Sequence, residues 1–272
     1  MNYDSPDLRA HFALRALPFT RELPVEQRWS HPQYDDAVRA LLAVIKNRMS
    51  GALIAPAGTG KTVVLRAIKS LLPEARYRVH YVKVTALSRR DFTRELCRVV
   101  QVSPAGHYNT LVERFQERAT DLLNNDSIRP VLLIDEAHDM RPEVLATVRV
   151  LTNFEMDSRL VVSVILCGQG ALRQALQRPD LEAVSRRLAH VGTLKLLSRP
   201  ETADYVAHRL ASVGAGAGLF APHSLDAVHE IAGGNLRATD RLALKALELA
   251  AAAGASTVAV EHVVTARHTL LP

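Results

Sequence analysis

The sequence predicts an α/β fold: a parallel five-stranded sheet with helices on both faces, followed by a C-terminal all-α region. Three observations carry this. Short apolar stretches alternate with segments of helical periodicity up to Leu197, the pattern of strands buried on both faces by crossover helices. After Leu197 the alternation stops and only helical periods remain. Between them, Ala52-Leu53-Ile54-Ala55 runs into a small-residue turn, Pro56-Ala57-Gly58-Thr59-Gly60, and then into Lys61-Thr62 at the head of a helix.

Taken in order, residues 1–34 hold Pro6, Pro18, Pro24 and Pro32, too many for regular structure, and are expected to form an N-terminal arm. Its Phe12, Leu14, Leu17 and Phe19 can pack on the body or on a neighbouring subunit. Asp35–Arg48 has apolar residues at helical spacing (Val38, Leu41, Leu42, Ile45). The Ala52–Ala55 strand, the turn and a helix over Val63–Leu72 follow. Val79–Val84 reads as a second strand, and Ser88-Arg89-Arg90-Asp91 as the capped start of a helix running to Val100. A helix over Asn109–Asn124 is followed by strands at Val131–Ile134 and Leu160–Leu166. Arg141–Phe154 and Ala171–Ala189 read as helical, the second broken near Pro179, and Val191–Leu196 as the fifth strand. Ser198-Arg199-Pro200-Glu201 is a second capping box, and helices follow at about 222–232, 235–253 and 259–268. The expected division is therefore an arm (1–34), an α/β core (35–197) and a helical lid (198–272).

The 272 residues are 48% hydrophobic and 23% charged, an ordinary globular composition. No apolar run is long enough to span a membrane, and Met1-Asn2-Tyr3-Asp4 lacks the basic-then-apolar layout of a signal peptide. Cys97 and Cys167 have no CxxC spacing and sit in apolar segments, which suggests reduced core residues of a cytoplasmic protein. The net charge of +6 is unevenly placed: Lys61 to Arg98 holds ten Lys/Arg against three Asp/Glu. Such an excess is either an electrostatic footprint for nucleic acid or a solvated helix face.

The strand–turn–helix at residues 52–72 has the order of a nucleoside-triphosphate site. Its loop must turn backbone N–H groups around phosphate oxygens, and Gly58 and Gly60 permit the angles and close approach this needs. Pro56 to Val63 would thus cradle ATP. Lys61 would reach the β/γ-phosphates as a point charge, and the Thr62 hydroxyl would ligate Mg²⁺. The usual pattern opens with Gly, where this chain has Ala55. The second half of the site is Val131-Leu132-Leu133-Ile134-Asp135-Glu136, a buried strand ending in two carboxylates where open α/β sheets place their ligands. Asp135 would hold the Mg²⁺ shell and Glu136 would polarise the attacking water. His138 is expected to have no catalytic role.

These segments, together with Leu151–Glu155, Leu166-Cys167-Gly168-Gln169, Arg186-Arg187-Leu188, Glu201–Leu210 and Gly233-Gly234-Asn235-Leu236-Arg237, carry a family resemblance. The sequence resembles the ExeA-like clade of AAA+ ATPases and, within it, the TnsC-type transposition regulators. The likeness extends from about Phe12 to Ala266. It implies a P-loop core of the ASCE/AAA+ type with a helical lid. Gln169 would be the sensor of the γ-phosphate or water, Arg187 or its neighbour Arg186 the arginine finger offered to another subunit, and Arg237 the lid arginine. Trp29 and Tyr34 lie in a segment that passes near the base in this clade, and would either stack on adenine or anchor the arm.

The same resemblance turns Lys83, Thr85, Arg89 and Arg90 toward the centre of a ring or helical filament, where they would track phosphates of double-stranded DNA without reading bases. The expected function is an ATP-dependent, DNA-binding regulator of transposition that self-assembles, with a transposase as partner and a target-selection adaptor as a further candidate. The alternative is an ExeA-like secretion ATPase that binds no DNA. Secretion relatives carry membrane or cell-wall-binding extensions, and the lack of such a segment in residues 1–272 is taken to favour the DNA-binding expectation.

Overall fold

The computed structural model describes residues 7–20, 22, 24–83 and 86–270. In chain order these form α1 (Leu8–His11), α2 (Pro32–Lys46), β1 (Ser50–Ile54), α3 (Lys61–Leu71), β2 (Tyr77–Lys83), α4 (Arg89–Val99), α5 (Tyr108–Asn124) and β3 (Arg129–Asp135). There follow α6 (Pro142–Leu151), β4 (Ser163–Gly168), α7 (Gly170–Leu176), α8 (Glu182–Ser185), β5 (Leu188–Thr193), α9 (Arg199–Ser212), α10 (Pro222–Ala232), α11 (Leu236–Ala252) and α12 (Val260–Leu270). Short 3-10 turns stand at Val25–Gln27, Ala137–Asp139 and Pro179–Leu181.

The chain divides into two compact units. The α/β unit comprises His31–Ala57 and Lys61–Leu194. Its five strands are parallel, in the order β2-β3-β4-β1-β5. The central strands β1, β3 and β4 are almost wholly buried, which is why they read as unbroken apolar runs rather than alternating ones. The edge strand β5 alternates between covered and exposed residues, whereas β2 mixes them along both faces. A core built on Phe92, Leu96, Phe115, Leu132, Ile134, Leu145 and Leu166 packs α4, α5 and α6 against the sheet.

β5 lies three residues earlier than its sequence pattern suggested. Pairing with β1 sets its position, from Ser50↔Leu188 to Ile54↔Thr193, with an irregularity at Ser50/Gly51. The apolar Leu194 and Leu196 that attracted the expectation fall beyond it. β4 likewise starts at Ser163, and exposed Leu160 lies outside it. Of the four prolines read as excluding regular structure, Pro32 opens α2 instead, at a first-turn position whose N–H has no helical acceptor anyway.

The second unit gathers the described residues of Met1–Ser30, Gly58–Gly60 and Lys195–Pro272. α9 starts with the capping box seen in the sequence: Glu201 accepts from the Ser198 backbone N–H at 2.7 Å. Leu8 and Phe19 from the N-terminal segment are buried in one cluster with Val206, Leu210, Val228, Leu247 and Val263 of the helices. The His208 ring bonds the Gln27 carbonyl at 2.9 Å, and Arg209 donates to the Thr20 carbonyl at 2.7 Å. Arg209 is itself buried, paired with Asp240 at 3.3 Å and lying over the Phe19 and Tyr205 rings. Half-buried Trp29 meets Tyr205 edge-on at 5.4 Å, so the contact observed for it is the anchoring one.

Candidate active site

Strand order places the two halves of the site. β4 lies between β1 and β3, with Ala52 opposite Leu166 and Leu166 opposite Ile134. The end of β1 that feeds the Pro56–Gly60 loop and the end of β3 that carries Asp135 therefore open on the same edge, two strand spacings or roughly 10 Å apart. Lys61, at the first position of α3, is buried, and its ammonium donates to the carbonyls of Ala55 and Pro56, both at 3.1 Å. The amine is thus held back over its own loop at the mouth of β1. Gly58 and Gly60 sit at φ +77° and +96°, angles that only glycine adopts readily. A Cβ at Gly58 would lie 2.3 Å from Asn235 Oδ1, so this position demands glycine twice over. The backbone N–H of Arg237 donates to the Gly58 carbonyl at 3.1 Å, which sets the exposed Arg237 beside the loop residue of its own unit.

At the end of β3, Asp135 is buried and accepts from the exposed Tyr81 hydroxyl at 2.8 Å. Burial first, then this bond and the Asp135 charge, push the Tyr81 phenol far up, so it remains a donor. Cys167 on β4 is raised in the same way, by burial first and then by the charge of Asp135, with Lys61 opposing. It is a neutral thiol beside the carboxylate rather than a nucleophile. Glu136 turns the chain in a left-handed conformation (φ +56°), which costs a non-glycine residue roughly 1–3 kcal/mol, and its carboxylate lies 3.4 Å from His138 Nδ1. Thr62 is exposed on the first turn of α3. One buried carboxylate, one hydroxyl and a glycine-shaped cradle with an ammonium beside it fit a triphosphate with Mg²⁺. When bound, that ion would neutralise phosphate charge.

Gln169 stands at the N-cap position of α7 directly after β4, without a side-chain capping bond, and its amide lies 2.7 Å from His138. His138, expected to have no catalytic role, thus lies beside Gln169. Of the two adjacent arginines, Arg186 is exposed in an i,i+4 pair with Glu182 at 2.6 Å. Arg187 is more covered and bonds Asp157 at 2.6 Å. Asp157 ends a run of three residues at positive φ, Glu155, Met156 and Asp157.

Of the residues expected to meet DNA, Lys83 is exposed at the end of β2, opposite Asp135 in register. Arg89 lies 5.1 Å over the Tyr108 ring, and Arg90 donates twice to the Gly106 carbonyl at 3.0 and 3.1 Å. Arg94 and Arg98 pair with Asp91 and Glu95 of the same helix, so part of the local positive excess is neutralised within α4. Thr85 lies outside the described residues. Tyr81, Cys167 and His138 were missed as site residues. For Tyr81 a signal existed: it stands two residues before Lys83 on β2, on the face shared with the strand end.

A cradle of this kind at the strand ends of a parallel sheet defines a P-loop nucleotide-hydrolysing protein. More narrowly, residues 44–176 match the family model described as AAA domain. The General secretion pathway protein A of Aeromonas hydrophila is 32% identical over 203 residues, which is 74% of this chain and 37% of that protein. This chain therefore spans little more than a third of that relative's length. Among solved structures, Cdc6p from Pyrobaculum aerophilum is similar with a TM-score of 0.73 at 18% identity, over 93% of this chain and 70% of that one. The Aeropyrum pernix Orc1 protein, solved in complex with DNA, gives 0.68 at 18%, over 91% and 68%. The Thermotoga maritima RuvB Holliday junction branch migration motor gives 0.60 at 15%, over 89% and 70%. At these identities the structural likenesses are likenesses of fold. Among the described residues, no helix is long and apolar enough to cross a membrane.

Proposed function

We propose that this protein is an ATP-driven regulator of transposition that assembles on duplex DNA when ATP is bound, recruits a transposase there, and is dismantled by hydrolysis. The observation that carries the ATP part is the shared opening of β1 and β3, with the Lys61 ammonium at one strand end and Asp135-Glu136 at the other. In this reading Lys61 and the loop bind the phosphates, Thr62 and Asp135 hold Mg²⁺, Glu136 orients water and Gln169 senses the γ-phosphate. Arg187 or Arg186 of a neighbouring copy completes the site, and Arg237 acts as the lid arginine.

The DNA part rests on Lys83, which is exposed at a strand end next to Asp135, and on Arg89 and Arg90 at the start of α4. It rests also on the resemblance to TnsC-type regulators. Contacts of this type go to phosphates and predict binding that weakens steeply with salt. A second reading is an envelope-assembly ATPase without DNA binding, favoured by the 32% identity to a general secretion pathway protein.

A gel shift with duplex DNA at low and moderate salt, with and without ATP, decides between them. Wild type should shift the DNA only with ATP, Lys61→Ala should not, and Glu136→Gln should shift it and persist. A DNA shift that ignores nucleotide, or none at all, would overturn the DNA reading while leaving phosphate release free to report on the ATPase.

A further inference from the structure

Glu136 and Gln169 follow different strands, and one imidazole faces both. His138 lies two residues beyond Glu136, in the Ala137–Asp139 turn, and is largely covered. Its Nε2 is 2.7 Å from the Gln169 amide nitrogen, and its Nδ1 is 3.4 Å from Glu136 Oε2. An amide nitrogen can only donate, so Nε2 accepts and the ring proton belongs on Nδ1, toward the Glu136 carboxylate. The opposite amide orientation would put the proton on Nε2 and set a bare Nδ1 lone pair against that carboxylate.

Two further observations tie these groups together. Glu136 Oε2 and His138 Nδ1 are both buried and neither has a hydrogen-bond partner, so they face each other just short of a bond. Buried polar atoms left in this way favour a small movement that would pair them. The turn is also seated against the end of β4: a Cβ at Gly168 would come within 3.1 Å of the His138 backbone nitrogen and 3.0 Å of Leu172. The backbone of the turn is therefore held close to β4, which leaves rotation of the side chain as the ring's way of moving between its two neighbours. Asp139 stands 3.6 Å from Nε2 on the exposed side.

We infer that His138 is a positioning residue for ATP hydrolysis, the joint through which the Gln169 side chain sets the aim of Glu136. Its ring would act through Gln169 and Glu136, the groups it faces. A Gln169 amide that turns toward a phosphate oxygen withdraws its donor from Nε2. The freed ring can then rotate its Nδ1 proton onto or off the Glu136 carboxylate. The inference rests on the reading of Glu136 as the group that orients water.

The test is steady-state ATP hydrolysis, ATP binding and thermal melting of the full chain as His138→Ala, His138→Asn (a polar atom kept near Nδ1) and His138→Gln (one kept near Nε2), with Gln169→Ala alone and combined with His138→Ala. His138→Ala should lower kcat about tenfold to a hundredfold with ATP affinity and melting little changed. His138→Asn should recover more of the rate than His138→Gln. The double variant should be no slower than the slower single one, as expected of residues acting in series. An unchanged kcat, multiplying losses, or a kcat that falls only along with melting or ATP affinity would overturn the inference. A wild type that releases no phosphate, or Glu136→Gln hydrolysing as well as wild type, would instead remove the underlying reading, and both appear without touching His138.

Discussion

Gly58→Ala tests the phosphate loop at its tightest point. At φ +77° an alanine costs about 1–2 kcal/mol from its Cβ alone. That Cβ would also sit 2.3 Å from Asn235 Oδ1 and 2.8 Å from Nδ2, so the Asn235 side chain must leave. This side chain is the N-cap of α11, accepting from the Ala238 N–H at 3.1 Å, and losing such a cap costs about 1 kcal/mol. The expected loss is therefore about 2–3 kcal/mol for Gly58→Ala and about 1 kcal/mol for Asn235→Ala. Because Gly58→Ala already breaks the cap, the double variant should stay at about 2–3 kcal/mol instead of reaching the sum of about 3–4 kcal/mol. Urea unfolding of the four proteins, followed by circular dichroism, supplies the cycle, and a fluorescent ATP analogue reports whether the loop still binds. Additive losses, or a Gly58→Ala protein within about 0.5 kcal/mol of wild type, would refute the reasoning.

Two further outcomes follow from buried polar groups. His80 on β2 has its pKa lowered to about 4, chiefly by burial, with repulsion from Arg78 and Arg118, and its Nε2 is buried without a partner. Below pH ~6.5 the unfolded chain takes up a proton that the folded one refuses, so this stability is complete above that pH and is lost as pH falls toward 4. With its partial exposure allowed for, wild type should lose about 1 kcal/mol more than His80→Phe between pH 7 and pH 5, or roughly 2–4 °C of melting temperature. Equal pH slopes would sink this. Arg209→Met should cost about 3–5 kcal/mol, because Asp240 loses its buried cation and the Thr20 carbonyl its donor. A loss under about 1 kcal/mol in thermal unfolding would mean that the pair is idle.

The parts legible in the sequence were those whose physics is local. The four apolar residues before Asp135 announce a strand buried on both faces, and the glycines before Lys61 announce backbone angles that a phosphate loop requires. Ser88 and Ser198 gave their helix starts because a cap needs only its own first turn. The rest depends on partners distant in sequence. β5 takes its limits from β1, more than a hundred residues away in the chain, and overrides the pull of Leu194 and Leu196. His138 reads as an ordinary loop residue because Gln169 reaches it only once β4 has been laid beside β3. Arg209 stands out in the sequence as part of a family pattern. Its job of holding Thr20 and Phe19 cannot be seen until the N-terminal segment is folded against the helices.

Leu8 and Phe19 are plugs in the apolar centre of the helical unit, so the described part of the N-terminal segment and the helices α9 to α12 share one opening equilibrium. Their amides should exchange with deuterium in step, although the sequence of the α/β unit separates them along the chain. Cutting away the leading segment would then expose a greasy socket and leave a sticky remnant in place of a trimmed domain.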